Sequence, residues 1–324
     1  LLLKVEERDV RMIDDPKEQL RAVVSRPLET GHFVPASSAI NLEIGAASVR
    51  GRSNPQNTDH YLAIRLGRLQ ETVTTSLGAS DLPSRFEEYS YAMLVADGLG
   101  GDVGARASRV ALSALAHLVI QYGRWNVRVS PETAREIAAQ VEFFGGQVHG
   151  AVREASRLDC RLADMATSLT ALYVAEDNLF FAHAGHSTAF LLRDGILIQL
   201  TTSHTLQQRR HAADRVVPVD RTKLDSGHRV TGMIGGRPAA PDLESEHIKL
   251  LTGDRLLLCT NGLTDVLTQD RIADVLAARR HAKEDCQQLI DLAVAEGSPD
   301  DVTVVLADYT VHRDRAVAGL SASG

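Results

Sequence analysis

The sequence predicts an α+β fold in which sheet packs on sheet and helices lie outside. Three observations carry this expectation. Short β-rich runs are joined by turns too tight for anything but antiparallel pairing; two long helical patterns, each with a single apolar stripe, interrupt those runs. A hydrophobic content of 44% over 324 residues can fill a sizeable core.

Taken in order, residues 1 to about 40 are polar and proline-punctuated, with a short helical pattern over 16–24, and read as an N-terminal extension. Strand patterns follow at 42–49, 60–66 and 89–96. The first helix places Val103, Ala107, Val110, Ala114, Leu115 and Leu118 on one stripe. The second starts at the cap and first-turn pair Ser130-Pro131 and continues through Ile137, Val141, Phe144, Val148 and Val152, with Gly145-Gly146 weakening its middle. Strands at 168–175, 179–184, 188–192 and 196–200 come next, with hairpin turns at Glu176-Asp177-Asn178 and Arg193-Asp194-Gly195, where Asn, Asp and Gly tolerate positive φ. Residues 203–245 show little periodicity, and a segment of that kind inside a domain reads as a flap or binding loop. A strand at 255–260, helices at 269–279 and 283–296 and a last strand at 302–309 complete a domain expected over 41–310, with 311–324 as a tail.

Composition narrows the function. A net charge of -7 leaves no basic footprint for nucleic acid, and Arg209-Arg210 and Arg279-Arg280 are too short to be more than local solvated faces. No apolar run approaches the ~18 residues of a membrane span, and the start Leu1-Leu2-Leu3-Lys4-Val5-Glu6-Glu7 is charged too soon for a secretory leader, so the cytoplasm is expected. Cys160, Cys259 and Cys286 are scattered without metal spacing and read as buried thiols.

The chemistry is carried by acids and amides at strand ends. Asp97-Gly98-Leu99-Gly100-Gly101 follows the apolar run Ala92 to Ala96, which delivers a carboxylate onto a backbone mobile enough for its carbonyls to approach a hard cation such as Mg²⁺ or Mn²⁺. A dinucleotide loop is excluded, because Asp97 would repel a pyrophosphate and Val103 stands where the last glycine of G-x-G-x-x-G belongs. The pattern recurs at Asn57-Thr58-Asp59, Ala184-Gly185-His186-Ser187, Thr260-Asn261-Gly262-Leu263-Thr264-Asp265 and Ser298-Pro299-Asp300-Asp301-Val302-Thr303. Each alone also fits an ordinary cap or turn.

Their joint order, with Arg50 or Arg52, Met165-Ala166-Thr167-Ser168-Leu169 and Leu200-Thr201-Thr202-Ser203-His204-Thr205, resembles the metal-dependent serine/threonine protein phosphatases of type 2C (PPM). Leu99, where bacterial members usually carry Met, directs the resemblance to the bacterial branch. It implies a four-layer αββα sandwich, two antiparallel sheets flanked by helices, with a two-metal centre in a cleft at one edge. Carried over by position, Asp97 would bridge two Mg²⁺ or Mn²⁺ ions and the Gly98 carbonyl would ligate one; Asp59 would help hold that ion, and Asn261 and Asp300 its partner. A guanidinium would clamp the phosphoryl oxygens, with Arg50, at the strand's end, preferred over Arg52.

Three positions depart from the family pattern. Asn261 replaces an acid that ligates metal, keeping an oxygen but losing the charge. His186 replaces the Asp of a Gly-Asp-Ser block, which leaves a third metal or a structural role open there, and Thr58 replaces an acid or amide. Two functions follow. One is an enzyme that hydrolyses phosphoserine and phosphothreonine on a protein substrate, opposed by a Ser/Thr kinase, without nucleic acid or membrane partners. The other is a weakened or inactive pseudophosphatase that binds a phosphoprotein or regulator.

Overall fold

Neighbouring residues on the central strands face different cores, and this alternation builds the layers. The computed structural model describes residues 40–78, 85–122, 129–204 and 232–311. Described residues up to Arg68 and from Glu87 onward fall in one compact unit, which contains the site residues; described residues 69–78, 85 and 86 fall in a second. The expected extension, its short helix, the tail and the middle of the flap lie outside the described residues.

The first sheet holds β1 (Ile40–Val49), β12 (Val302–Val311), β11 (Arg255–Cys259), β7 (Thr188–Arg193) and β8 (Ile196–Gln199), in that order. The second holds β10 (Glu244–Lys249), β6 (Asn178–Ala184), β5 (Leu169–Ala175), β3 (Arg85–Leu99), β4 (Ala166–Thr167) and β9 (Ile234–Gly235), with β2 (Asp59–Glu71) also paired to β3. The registered pairs are antiparallel, as the tight turns require.

Leu256 and Leu258 of β11, Val305 and Ala307 of β12, and Met93 and Val95 of β3 meet between the sheets. The intervening residues Leu257, Cys259, Val304 and Leu306 turn outward onto α4 (Gln269–Ala277) and α5 (Ala282–Ala295). On the opposite side Leu94 and Ala96 pack under α1 (Asp102–Tyr122) and α2 (Pro131–Leu158), through Ala107, Ala111, Val148 and Val152. The order is helix, sheet, sheet, helix, the four layers expected. By length and composition alone α1 could cross a membrane, but its small-residue stripe is part of this core.

Two expectations are corrected. Cys160 is exposed, whereas Cys259 and Cys286 are buried as expected. α2 runs on through Gly145-Gly146, and the two glycines differ in their surroundings. The reason for one glycine is packing: a Cβ on Gly145 would stand 2.2 Å from Leu243 Cδ1, whereas Gly146 faces open space. Gly146→Ala is therefore expected to stabilise by about 0.5–1 kcal/mol, the usual helix gain; Gly145→Ala should lose that gain to overpacking, and urea midpoints for both decide the signs. The stretch taken as a flap also contains regular structure at its end, since β9 pairs with β4 and β10 adds an edge strand to β6. In the hairpins, positive φ falls on Glu176 rather than Asn178, and on Asp194 and Gly195 as expected.

Candidate metal centre

β3 ends by presenting Asp97 and Gly98 at one edge of the sandwich. Gly98 is obligatory there: a Cβ would lie 2.1 Å from the Gly104 carbonyl oxygen, so strand and helix touch through bare backbone. Gly100 (φ 99°) and Gly101 (φ 65°) then turn the chain directly into α1. The Asp97 carbonyl oxygen accepts from Thr167 Oγ1 at 2.8 Å and from Ser168 N at 2.9 Å, which pins the loop to β4.

Asp59 arrives at the first residue of β2, held from two sides. Its Oδ2 accepts from Thr260 Oγ1 at 2.8 Å, and that oxygen in turn accepts from Thr303 N at 2.9 Å. Its neighbour Thr58 donates through N and Oγ1 to Asp301 Oδ2 at 2.7 and 2.9 Å, while Gly51 N donates to Asp301 Oδ1 at 2.7 Å. Asp301 is thus consumed in fastening the loop before β2. This explains why Asp300 is the member of the pair that faces the site: its Oδ1 accepts from Asn54 Nδ2 at 3.0 Å and its Oδ2 from Asn261 Nδ2 at 3.3 Å.

Asn261 opens the short helix α3 (Asn261–Thr264) after β11, and its Nδ2 also donates to Asp265 Oδ2 at 3.0 Å. His186, in the β6–β7 turn, places Nδ1 3.4 Å from Asp97 Oδ2. Burial drives the Asp97 carboxyl up to about 8, with Asp300, Asp301 and Asp265 adding repulsion. Burial, then the Asp97 charge, likewise raises Asp59 well above the usual carboxylate range.

The structure therefore brings Asp59, Asp97, Gly98, Asn261, Asp300 and His186 together. Arg50 is tied to the same loop, donating from Nη1 to the Asn54 carbonyl at 2.5 Å while Asn54 holds Asp300. Arg52 is not brought there; it reaches over the end of α5, with Nη2 3.4 Å from the Val294 carbonyl. The sequence reading gave no role to Asp265 or Asn54. The i,i+4 spacing from Asn261 to Asp265 could have shown the first; nothing local marks the second.

Two buried oxygens, Asp59 Oδ1 and Asn261 Oδ1, have no hydrogen-bond donor. Acceptors left without donors beside repelling carboxylates fit a hard divalent cation with oxygen ligands.

Comparison with known proteins bears on this geometry. The sequence model of the family described as Stage II sporulation protein E (SpoIIE) matches residues 87–310. The chain is 31% identical over 217 residues to the serine/threonine protein phosphatase PstP of Mycobacterium tuberculosis, a match covering 67% of this chain and 40% of that protein. It is 27% identical over 232 residues to the serine/threonine phosphatase stp of Listeria monocytogenes, covering 71% of this chain and 88% of the other. The crystal structure of the M. tuberculosis phosphatase PstP/Ppp superposes with a TM-score of 0.64 at 28% identity, over 84% of this chain and 99% of that one. The PstP catalytic domain in complex with two manganese ions gives 0.61 at the same identity and coverage.

Proposed function

The chain belongs to the bacterial type 2C (PPM) phosphatases, with the SpoIIE family model spanning residues 87–310, and from that premise we propose that it is a metal-dependent hydrolase of phosphoserine and phosphothreonine in proteins. The observation that carries the reading is the convergence of Asp59, Asp97, Asn261 and Asp300, with two of their buried oxygens lacking donors.

Asp97 and the Gly98 carbonyl, with Asp59, would hold one Mg²⁺ or Mn²⁺, and Asn261 and Asp300 its partner. Such ions supply Lewis acidity: they acidify a water for in-line attack on phosphorus and neutralise the phosphoryl charge. No protein nucleophile is then required. Asp301 and Thr260 fix the loops that carry Asp59, so the donors are preorganised. Arg50, on the loop held by Asn54, is the guanidinium we assign to a phosphoryl oxygen, since Arg52 contacts the Val294 carbonyl instead. His186, beside Asp97, is the side chain where a third ion would be sought.

The pseudophosphatase alternative gains no support from relatives named serine/threonine phosphatases, and Asn261 keeps a buried oxygen without a donor. Substrate choice and the opposing kinase remain part of the proposal, since the chain spans about two fifths of the length of its mycobacterial relative. The test is turnover of an aryl phosphate and of a phosphothreonine peptide with and without millimolar Mn²⁺. Release of phosphate only when Mn²⁺ is present is expected; a folded chain that releases none overturns the proposal.

A further inference from the structure

Asn261 and Asp265 stand one helical turn apart, joined by the hydrogen bond from Asp265 N to the Asn261 carbonyl at 2.8 Å, so their side chains share a face. The Asn261 amide lies between two carboxylates, its Nδ2 donating to Asp265 Oδ2 at 3.0 Å and to Asp300 Oδ2 at 3.3 Å. An amide has one donor end and one acceptor end. Turned over, it would push Oδ1 against both carboxylates, so charge fixes its orientation. Oδ1 is left on the other side, buried and without a donor.

Asp300 alone does not secure this arrangement. It is itself placed to ligate the ion, and a carboxylate oxygen that gives electron density to a cation is a poorer acceptor for Nδ2. We propose that Asp265 is a positioning residue of the metal centre: it latches the Asn261 amide by Nδ2 and so presents the neutral Oδ1, not the nitrogen, to the cation. The inference rests on the metal-dependent reading above. The negative charge of Asp265, felt at Asp97, is a separate and weaker contribution, because the residue is exposed and solvent screens it.

Charge and latch can be separated, since Asn at 265 keeps a carbonyl acceptor in the same place while losing the charge. Mn²⁺ binding to the whole chain is measured by calorimetry for the unaltered protein, Asp265→Asn, Asp265→Ala, Asn261→Asp and the doubles on Asn261→Asp, with thermal melts confirming that each variant is folded. Asp265→Ala should weaken binding by about ten-fold, the lower end for lost outer-shell support. Asp265→Asn should stay within about three-fold, the size of a screened surface charge. On the Asn261→Asp background Asp265→Ala should no longer weaken binding, because a carboxylate has no nitrogen to misplace. The latch is overturned if Asp265→Ala binds like the unaltered chain, if Asp265→Asn loses as much as Asp265→Ala, or if Asp265→Ala still costs about ten-fold on Asn261→Asp. Failure of both the unaltered chain and Asn261→Asp to bind Mn²⁺ would instead remove the metal-dependent reading and the latch with it.

Discussion

Asp97→Asn is expected to abolish Mn²⁺-dependent phosphate release while making the metal-free chain more stable at alkaline pH. The two effects have one cause. In the metal-free fold Asp97 keeps its proton up to about pH 8, because burial and then the Asp300, Asp301 and Asp265 charges oppose ionisation. The unfolded chain releases that proton near the ordinary aspartate value of about 4. The native state therefore binds more protons between those limits, and stability falls as pH rises from about 4 to about 8. A neutral isostere removes most of that loss, and at pH 8.5 the variant should melt at least about 2–4 °C higher than the unaltered chain, the shift that about 1 kcal/mol produces in a domain of this size. Mn²⁺ should raise the melting temperature of the unaltered chain and leave the variant unmoved. The activity loss should be on the order of 10³-fold, from several kcal/mol of lost charge stabilisation. Melts at pH 5.5 and 8.5, with and without Mn²⁺, check all of this; a variant that melts lower than the unaltered chain at pH 8.5, or that still responds to Mn²⁺, contradicts it.

The layers were legible because tight turns and single-striped helices are local properties. The two cores were not, since Leu256, Leu257, Leu258 and Cys259 are all apolar and only the structure divides them between the inter-sheet core and the helix-facing one; β12 is divided in the same way. The two-residue strands β4 and β9 were not legible, since no period fits in two residues; they exist because Thr167 pairs with Gly98 on one side and Ile234 on the other. Gly145 was only half legible for a related reason. Its meaning lies in Leu243, about a hundred residues on, while helix propensity weighs only the local backbone. At the site, Asp59, Asp97, Asn261 and Asp300 could be picked out by their order along the chain, but their roles came only from the family resemblance and not from local pattern. Asp300 and Asp301 are adjacent and chemically identical, and only the donors at Gly51 and Thr58 commit Asp301 to the scaffold. Arg50 was preferred only for its place at the strand's end, and no local pattern marks the contact of Arg52 with the end of α5.

Asn261→Asp is expected to tighten Mn²⁺ binding by at least about ten-fold, because ligand charge sets the affinity of oxygen sites for divalent cations. The same change should destabilise the metal-free chain. It removes the Nδ2 donor from both Asp265 and Asp300 and adds a further acid to carboxylates that already force a proton onto Asp97. With Mn²⁺ in excess the order inverts, since a ten-fold tighter site adds about 1.4 kcal/mol of linkage. Melting curves should therefore cross: the variant lower without metal, and with a larger Mn²⁺-induced rise than the unaltered chain. Phosphate release at limiting Mn²⁺ should increase and converge with the unaltered chain as the ion saturates both, because an amide oxygen that is present but neutral weakens occupancy before it weakens chemistry. If turnover of the variant instead stays higher at saturating Mn²⁺, the amide limits the reaction itself, through a less acidic water rather than an emptier site. Identical Mn²⁺ titrations for the two proteins would show that residue 261 does not face the ion.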